Sequence, residues 1–329
     1  GDRLGASVAS GLMRSKTGAW DLLAGAPGVD MKLEDFNVND AGAVYLFAGG
    51  VALSKDIDLA KTSATFTLTA EPLLGSGQLG SSLAVGNFNG DDYADFTAGA
   101  PFANGFNRSV GFAYLIMGSA TLTGTKSASS LGVTSLFGDN ENDNFGTSVA
   151  LGDINGDGFA DWIIGLSGGD GPNNSRANTG EVLVFYGTAG VGAKSSLIYG
   201  GGRAGDTFPD AFGTSLATGD FNGDGIADLI VGAPGADSVS DKRDPQGAAY
   251  LFFGTRAGLP STYDLLTKTA DLTIFGAFAG DRLGAGAFAF GKLNGADVPA
   301  LVLGIPRSAS VSNGRLDAGE VRVLFGVRR

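Results

Sequence analysis

The residues Asp153-Ile-Asn-Gly-Asp-Gly-Phe-Ala-Asp161, followed at once by Trp-Ile-Ile-Gly165, decide the fold. Side-chain oxygens stand at positions 1, 3, 5 and 9 of this stretch, around two glycines that permit a tight, partly left-handed turn. A helix–loop–helix calcium site would need a glutamate at position 12, followed by a helix. Position 12 is Ile164, inside an apolar run typical of a strand. The stretch therefore predicts a β-hairpin loop.

The same pattern occurs twice more, in the loops that begin at Asn87 and Asp220. Self-similarity at a regular spacing indicates a repeat architecture. An apolar-Gly pair upstream and a Gly-Ala-Pro-like turn downstream extend the pattern to five units. The pairs are Leu4-Gly5, Leu79-Gly80, Phe145-Gly146, Phe212-Gly213 and Leu283-Gly284, and the turns begin at Gly25, Gly99, Gly165, Gly232 and Gly304.

Each unit carries short segments rich in Val, Ile, Leu, Phe and Tyr, bounded by Gly, Asn and Asp, which favours strands over helices. Four strands in roughly 65–75 residues fit a propeller blade. We predict an all-β fold, a β-propeller of four-stranded blades that forms either a five-bladed ring or part of a larger ring. Residues 1–329 are predicted to be a single domain. Its approximate repeats are 1–74, 75–140, 141–204, 205–278 and 279–329.

The composition excludes several function classes. The chain contains no Cys and no His, so disulfides, the usual zinc ligands, cysteine nucleophiles and histidine bases are absent. Asp and Glu number 34 against 22 Lys and Arg, and no basic face for nucleic acid is visible. No apolar run approaches a membrane span, so we expect no membrane insertion.

The acidic loops offer the oxygen ligands that Ca²⁺ prefers. Hairpin turns also favour Asx-Gly sequences, but several carboxylates within nine residues repel one another without a cation. We predict two calcium sites, each with four side-chain ligands and the backbone carbonyl of position 7. The predicted ligands are Asp153, Asn155, Asp157, Phe159 and Asp161 in one loop, and Asp220, Asn222, Asp224, Ile226 and Asp228 in the other.

The loop of the second unit predicts a third site of lower affinity, because Asn87 replaces the first carboxylate and Asp92 stands where the other loops have Gly. Its remaining predicted ligands are Asn89, Asp91, Asp95 and the carbonyl of Tyr93. The fifth unit, Lys292 to Ala300, lacks acids at positions 1, 5 and 9. The first, Leu12 to Asp21, keeps only its last acid and adds Arg14 and Lys16. We expect no calcium in either.

The apolar-Gly pairs, the Gly-Ala-Pro turns and the acidic loops, all in register, resemble the FG-GAP repeat family of integrin α-subunit heads and bacterial surface proteins. The resemblance covers essentially the whole chain. It implies a β-propeller with calcium in hairpin loops on one face, and rings of this family usually have seven blades.

We expect the calcium to be structural, so that its binding energy becomes folding energy. Recognition would then use the opposite face, in loops 29–39, 104–108, 170–176, 237–246 and 308–317. The first hypothesis is a non-catalytic extracellular adhesion or assembly module that binds protein, either secreted or at the cell surface; a periplasmic location is the alternative. The edge left unpaired by the last repeat also favours assembly into a larger complex.

Two other function classes remain open. A lectin-like module would stack Trp20, Trp162 and Tyr side chains on sugars, although we predict core packing for both tryptophans. A carboxylate-based hydrolase would use Asp139, Glu141 and Asp143, which a turn between blades explains equally well. Binding to a glycan array would favour the lectin, and turnover of a substrate would favour the enzyme.

Overall fold

The computed structural model of the protein describes residues 1–34, 36–50, 59, 63–71, 75–105, 109–131, 134–188, 195–203, 209–237, 245–293, 295, 298–308 and 318–326. It confirms an all-β fold with several sheets, consistent with the blades of a β-propeller. Among the helices of these residues, none is long and apolar enough to span a membrane.

The strands follow the repeats in order. The first repeat contains β1 (Ser7–Gly11), β2 (Asp21–Ala26), β3 (Met31–Lys32), β4 (Asn37–Val38), β5 (Ala43–Phe47) and β6 (Phe66–Thr69). The second contains β7 (Ser82–Gly86), β8 (Asp95–Ala100), β9 (Phe112–Ile116), β10 (Gly124–Ser127), helix α1 (Ala128–Leu131) and β11 (Thr134–Phe137).

The third repeat contains β12 (Phe145–Gly152), β13 (Asp161–Leu166), β14 (Glu181–Phe185) and β15 (Ser195–Tyr199), with a 3-10 turn at Pro172–Asn174. The fourth contains β16 (Ser215–Gly219), β17 (Asp228–Ala233), β18 (Ala248–Phe252), β19 (Thr262–Asp264) and β20 (Leu272–Phe275). The fifth contains β21 (Phe288–Gly291), β22 (Ala300–Ile305) and β23 (Glu320–Phe325).

The chain forms two compact units, Gly1–Leu151 with Thr188–Gly190, and Gly152–Gly187 with Val191–Arg329. In the first unit the sheet orders are β1-β2-β5-β6-β10 and β11-β9-β8-β7, beside the small hairpin β3-β4. In the second unit they are β13-β14-β15-β19, β16-β17-β18-β20 and β21-β22-β23. Neighbouring strands are antiparallel, apart from the pairs β6–β10 and β15–β19.

These two parallel pairs join consecutive repeats. β10 belongs to the second repeat but pairs with β6 of the first, from Gly124 opposite Phe66 to Ser127 opposite Thr69. β19 of the fourth repeat pairs in the same way with β15 of the third. Each of the two sheets that receive a strand therefore includes one strand that the sequence analysis did not predict.

Alternating apolar residues explain why the segments form strands and where the core lies. In the first unit Val44 and Leu46 of β5 and Phe66 and Leu68 of β6 are fully buried, as expected when one set of alternating side chains faces the core. Phe66 meets Phe96 edge to face with ring centroids 6.4 Å apart. In the second unit Phe212 packs against Phe252 in a similar T-shaped contact.

The prediction of core packing is confirmed for Trp162, which is 2% exposed, and wrong for Trp20, which is 64% exposed. Trp162 is the second residue of β13 and stacks at an angle on Phe185. Trp20 instead ends the first hairpin loop, one residue before β2, so no sheet pairing fixes its side chain toward the core.

One backbone conformation explains why a glycine recurs in the apolar-Gly pair of every repeat. In every repeat the residue before the apolar-Gly pair has a positive φ, between 51° and 57°, and the glycine itself has a φ between 83° and 98°. This turn brings Gly80 against Gly25, where an added Cβ on Gly25 would lie 2.1 Å from the Gly80 oxygen. Only glycine permits so close an approach.

Candidate metal loops

The predicted acidic loops connect the first and second strands of their repeats, β7–β8, β12–β13 and β16–β17. In the third repeat the loop closes on its own amides. The Asp153 carboxylate accepts from the amides of Asp157 at 3.1 Å and Gly158 at 2.9 Å. Asn155 Oδ1 accepts from the Asp157 amide at 2.9 Å. The side chains at positions 1, 3 and 5 therefore lie on one small, water-accessible loop.

The last carboxylate of the loop has a different environment. Asp161 is fully buried, and its two oxygens accept from two amides, Ile154 at 2.8 Å and Gly187 at 3.0 Å. The first amide starts the loop and the second follows β14. Asp161 thus anchors the hairpin to the end of the third strand of its repeat.

The fourth repeat reproduces this geometry. Asp220 accepts from the amides of Asp224 and Gly225, both at 3.0 Å. The buried Asp228 accepts from Phe221 at 2.8 Å and from Gly254 at 3.0 Å. The third and fourth loops are also tied to each other, because the Ala227 amide donates to the Asp153 carbonyl at 2.9 Å.

The anchor is also present where the sequence predicts no metal. In the first repeat the carboxylate of the buried Asp21 accepts hydrogen bonds from the backbone amides of Arg14 and Gly49, each at 2.9 Å. Asp95 does the same in the second repeat, with Phe88 at 2.8 Å and Gly118 at 2.9 Å. Sequence reasoning missed this role, although Asp21 signalled it by persisting in a loop that lacks the other acids.

A lysine side chain of the first loop lies beside the second loop. Lys16 forms an ion pair with Asp92, and its ammonium lies 5.6 Å from the centroid of the Tyr93 ring. Both charged groups of the pair are more than half exposed. Lys16 belongs to the first loop, where the sequence predicts no calcium, but its ammonium lies beside the loop of the next repeat.

Burial shapes the electrostatics of the anchors. Desolvation raises the pKa of Asp161 to about 7, against the lowering effect of its two amide hydrogen bonds, and the charges of Asp157 and Asp153 raise it further. The pKa of Asp228 is raised to about 6, first by burial, and that of Asp95 is raised in the same direction. A cation near these carboxylates would favour their charged forms.

The donor chemistry of the third and fourth loops fits Ca²⁺, since each presents three carboxylates and one amide oxygen. The side chains are directed at loop amides, and within the described ranges no three acidic side chains converge on one point as a bound metal would require. In the fifth repeat, Asn294 and Asp297 lie outside the described residues.

Comparison with known proteins identifies the repeat. A family model described as the FG-GAP repeat matches residues 79–116, 145–185 and 212–252. Each matched segment starts at an apolar-Gly pair, contains one of the three acidic loops and ends with the third strand. These three segments are FG-GAP repeats. The first and fifth repeats of the chain show the same landmarks outside the matched segments.

Several curated proteins resemble this chain over about half of its length. Integrin alpha pat-2 of Caenorhabditis briggsae is 32% identical over 193 residues, which are 55% of this chain and 14% of the relative. Integrin alpha-5 of Xenopus laevis is 34% identical over 168 residues, 49% of this chain and 15% of the relative. A phosphatidylinositol-glycan-specific phospholipase D of Dictyostelium discoideum is 25% identical over 205 residues, 60% of this chain and 21% of the relative. The chain spans about a fifth or less of these relatives.

The FG-GAP repeats present their other connections at the opposite end of each sheet, because antiparallel strands alternate in direction. Of these, residues 29–39 form the hairpin β3–β4, closed by a 3.0 Å bond from the Leu33 amide to the Phe36 carbonyl. Phe36 at its tip is 56% exposed. Much of the other predicted recognition loops lies outside the described residues, namely 106–108, 238–244 and 309–317.

The loop 170–176 is held in place by a buried arginine. Arg176 donates to the Gly200 carbonyl at 3.0 Å, pairs with Asp264 at 3.0 Å and lies over the Tyr199 ring. Arg176, the last residue of this predicted recognition loop, thus joins the loop to β15 and β19.

The acidic cluster proposed for a hydrolase is divided by burial. Asp139 and Glu141 are exposed, whereas Asp143 is buried and accepts from the Asn140 amide at 3.1 Å. Asp281 makes equivalent bonds to Ala277 and Phe278, each at 2.9 Å. The turn between blades, the alternative to a hydrolase site, accounts for Asp143.

Proposed function

We propose that the protein is a calcium-stabilised extracellular module that binds a protein partner and has no catalytic activity of its own. The similarity to integrin alpha subunits, at 32–34% identity over about half of the chain, carries this proposal. Proteins with that name act at the cell surface, and the proposal places this chain there or in the secreted fraction.

The division of the sheets into two ends supports the proposal. Oxygen-rich loops occupy one end, and hydrogen bonds with good geometry hold them in the third and fourth repeats. In the proposal Ca²⁺ binds these two loops, and more weakly the second, and supplies positive charge that offsets the carboxylate repulsion. Asp153, Asn155 and Asp157, with their counterparts Asp220, Asn222 and Asp224, would hold it.

The partner would contact the opposite end. The hairpin β3–β4 is fixed by pairing of Met31 with Val38 and of Lys32 with Asn37, and it presents Phe36 to solvent. A rigid exposed aromatic side chain is a common anchor of protein interfaces. Lys32 and Glu34 flank it and are exposed, so the contact would have a polar rim.

The experiment screens the purified protein against a panel of extracellular proteins and a glycan array, each with calcium and with chelator. We expect calcium-dependent binding to a protein, weakened roughly tenfold or more by Phe36→Ala. Phe137→Ala, which removes an aromatic ring that is 46% exposed from β11, is the matched control and should leave binding unchanged.

Binding to glycans alone would favour the lectin-like alternative. Binding that ignores both calcium and Phe36 would contradict the proposal. The similarity to a phospholipase D makes hydrolysis of a glycosylated phosphatidylinositol the appropriate turnover assay, in which the proposal expects no product.

A further inference from the structure

Two junctions between neighbouring repeats are built on the same plan. In each, the connection that follows the third strand of a repeat crosses to the preceding repeat and adds a parallel strand there, β10 beside β6 and β19 beside β15. The first junction, between the first and second repeats, lies in one compact unit, and the second junction, between the third and fourth, lies in the other. Each junction is therefore complete within its own unit.

Lys126 of β10 and Tyr263 of β19 occupy equivalent positions in the two junctions. Lys126 pairs with Leu68 of β6, and Tyr263 pairs with Ile198 of β15. Leu68 and Ile198 in turn each lie opposite the second residue of the neighbouring strand, β5 or β14. The strand register therefore places a lysine in the first junction where the second junction has an aromatic ring.

Aromatic side chains of the chain itself occupy the second junction. The Tyr263 ring packs edge to face on the Phe252 ring, with centroids 5.5 Å apart. The Tyr263 hydroxyl donates to the Thr269 carbonyl at 2.6 Å. The Lys268 ammonium lies over the same ring, 5.0 Å from its centroid. The second junction thus holds an aromatic ring in contact with another ring and with a lysine.

The first junction contains a cavity instead. Ile116 ends β9 as Phe252 ends β18, so Ile116 stands in place of the second ring just as Lys126 stands in place of Tyr263. Ile116 and Lys126 both line a cavity of about 290 Å³. The first junction therefore lacks both of the rings that occupy the second junction, and it has open space beside the two replacements.

The cavity has an apolar floor and a polar rim. The floor consists of four buried apolar side chains, namely Phe66, Leu115, Ile116 and Leu122. The exposed rim carries Met117, Lys126 and three threonines. Among the described residues no acidic side chain forms an ion pair with the Lys126 ammonium. The cavity therefore offers a surface for an apolar group next to a positive charge that has no acidic partner.

The size and the lining of the cavity suit one aromatic ring with a short charged substituent. An apolar cavity of roughly 150 Å³ is enough to bind benzene, so about 290 Å³ leaves room for a ring and a small polar group. A thioether sulfur makes favourable contacts with aromatic rings, and Met117 supplies one at the rim. The Lys126 ammonium attracts negative charge at the same place.

We propose that this cavity binds a small aromatic carboxylate. The ring would lie on Phe66, Ile116 and Leu122, where the second junction is occupied by rings of its own chain. The carboxylate would pair with the ammonium of Lys126 at the rim. The first two repeats supply every lining residue, and binding of this ligand requires neither the calcium sites nor the protein partner proposed above.

Titration of methyl-labelled protein with phenylacetate, followed by NMR, tests the proposal. We expect saturable binding with a dissociation constant of about 1 mM or tighter. The methyl signals of Ile116, Met117 and Leu122 should shift, whereas that of Leu259, the counterpart of Leu122 in the second junction, should not. Two comparison compounds separate the ring from the charge. The neutral 2-phenylethanol should bind roughly tenfold more weakly, and acetate should not saturate the site.

Two substitutions at the exposed Lys126 separate the same contributions on the side of the protein. Lys126→Gln should weaken phenylacetate binding roughly tenfold and leave 2-phenylethanol binding unchanged, because only the charge is lost. Lys126→Tyr, which reproduces the aromatic side chain of the second junction, should abolish the binding of both compounds. Lys268→Gln removes an exposed lysine from the second junction and is the matched control, which should bind both compounds like the wild type.

The absence of saturable phenylacetate binding to the wild type overturns the proposal. Shifts confined to residues outside the cavity overturn it as well, and this result needs no variant. Equal affinity for phenylacetate and either comparison compound overturns the assignment of an aromatic carboxylate. Phenylacetate binding that survives unchanged in both Lys126 variants overturns the position of the site.

Discussion

The first and third hairpin loops both end in a buried aspartate that anchors the hairpin, but they differ in the charged residues that come before it. Asp21 and Asp161 are both buried, and each accepts from one amide early in the loop and one after the third strand. Before the anchor, the third loop has Asp153 and Asp157, whereas the first has Arg14 and Lys16. The comparison separates two roles: the last acid accepts the hydrogen bonds that close the hairpin, and the earlier acids are the proposed calcium ligands.

The addition of calcium should have the largest effect on stability. We expect the third loop to bind the ion and the first loop not to bind it. At a free concentration about a hundredfold above the dissociation constant, one site adds about 2.7 kcal/mol, and two sites therefore about 5 kcal/mol, to the free energy of unfolding. We expect this gain in urea or thermal denaturation of chelator-treated protein after calcium is added.

The variant Asp153→Asn with Asp220→Asn tests where the gain arises. Asn87 shows that asparagine is accepted at this position, so the calcium-free stability should change little, while more than half of the gain should disappear. Arg14→Gln in the first loop is the control and should keep the full gain. No stabilisation of the wild type would mean that the loops are turns only.

Removal of the anchor should have the next largest effect. Asp21→Ala and Asp161→Ala each leave two amides without their acceptor, and we expect each to lower the free energy of unfolding by about 3 kcal/mol in calcium-free buffer. Asp21→Ala should cost the same with calcium present, whereas Asp161→Ala should also lose the calcium gain of its site. If Asp161→Ala is neutral without calcium, its carboxylate is a ligand and not an anchor.

Acidification should stabilise the calcium-free protein. Burial raises the pKa values of Asp161 and Asp228 to about 7 and about 6, above the ordinary 3.8. At pH values between 3.8 and these raised values, the folded state therefore binds more protons than the unfolded state. Stability from these groups is thus greatest at low pH and falls as the pH rises through the folded pKa values.

Between pH 7.5 and pH 5 we expect a gain of about 4 kcal/mol, because the two groups together take up protons over about three pH units and one unit corresponds to about 1.4 kcal/mol. Urea denaturation of metal-free protein at the two pH values measures it. With saturating calcium the gain should vanish or reverse, since protons then compete with the ion. A calcium-free protein that loses stability over the same interval would contradict the assignment.

The smallest effect concerns Lys16. Both partners of its ion pair with Asp92 are well exposed, so Lys16→Gln should leave the free energy of unfolding almost unchanged. Removal of the ammonium should raise the calcium affinity of the second loop a few-fold, and more at low ionic strength than at high. Calorimetric titration measures this, and an unchanged affinity would show that Lys16 does not compete with the ion.

The sequence predicted most strands because they follow apolar alternation between glycine-rich turns, as β5 and β14 do. It did not predict β10 and β19, since Gly-Thr-Lys-Ser and Thr-Tyr-Asp carry no such alternation and owe their pairing to the neighbouring repeat. For the loops, the ligand set derived from the spacing stays a prediction. The spacing did not reveal the anchor, because the last aspartate of the pattern was assigned only as a ligand. The contact of Lys16 with Asp92 joins residues that are 76 apart in sequence, so no local sequence pattern could predict it.

The strands β10 and β19 determine at which repeat boundaries the chain can be truncated or duplicated. A fragment that ends with the first repeat, near residue 74, would leave β6 without the partner that the second repeat supplies, and a fragment ending near residue 204 would do the same to β15. Such fragments expose a sheet edge that invites aggregation. Truncation, domain grafting and gene duplication should therefore keep the first repeat together with the second and the third together with the fourth.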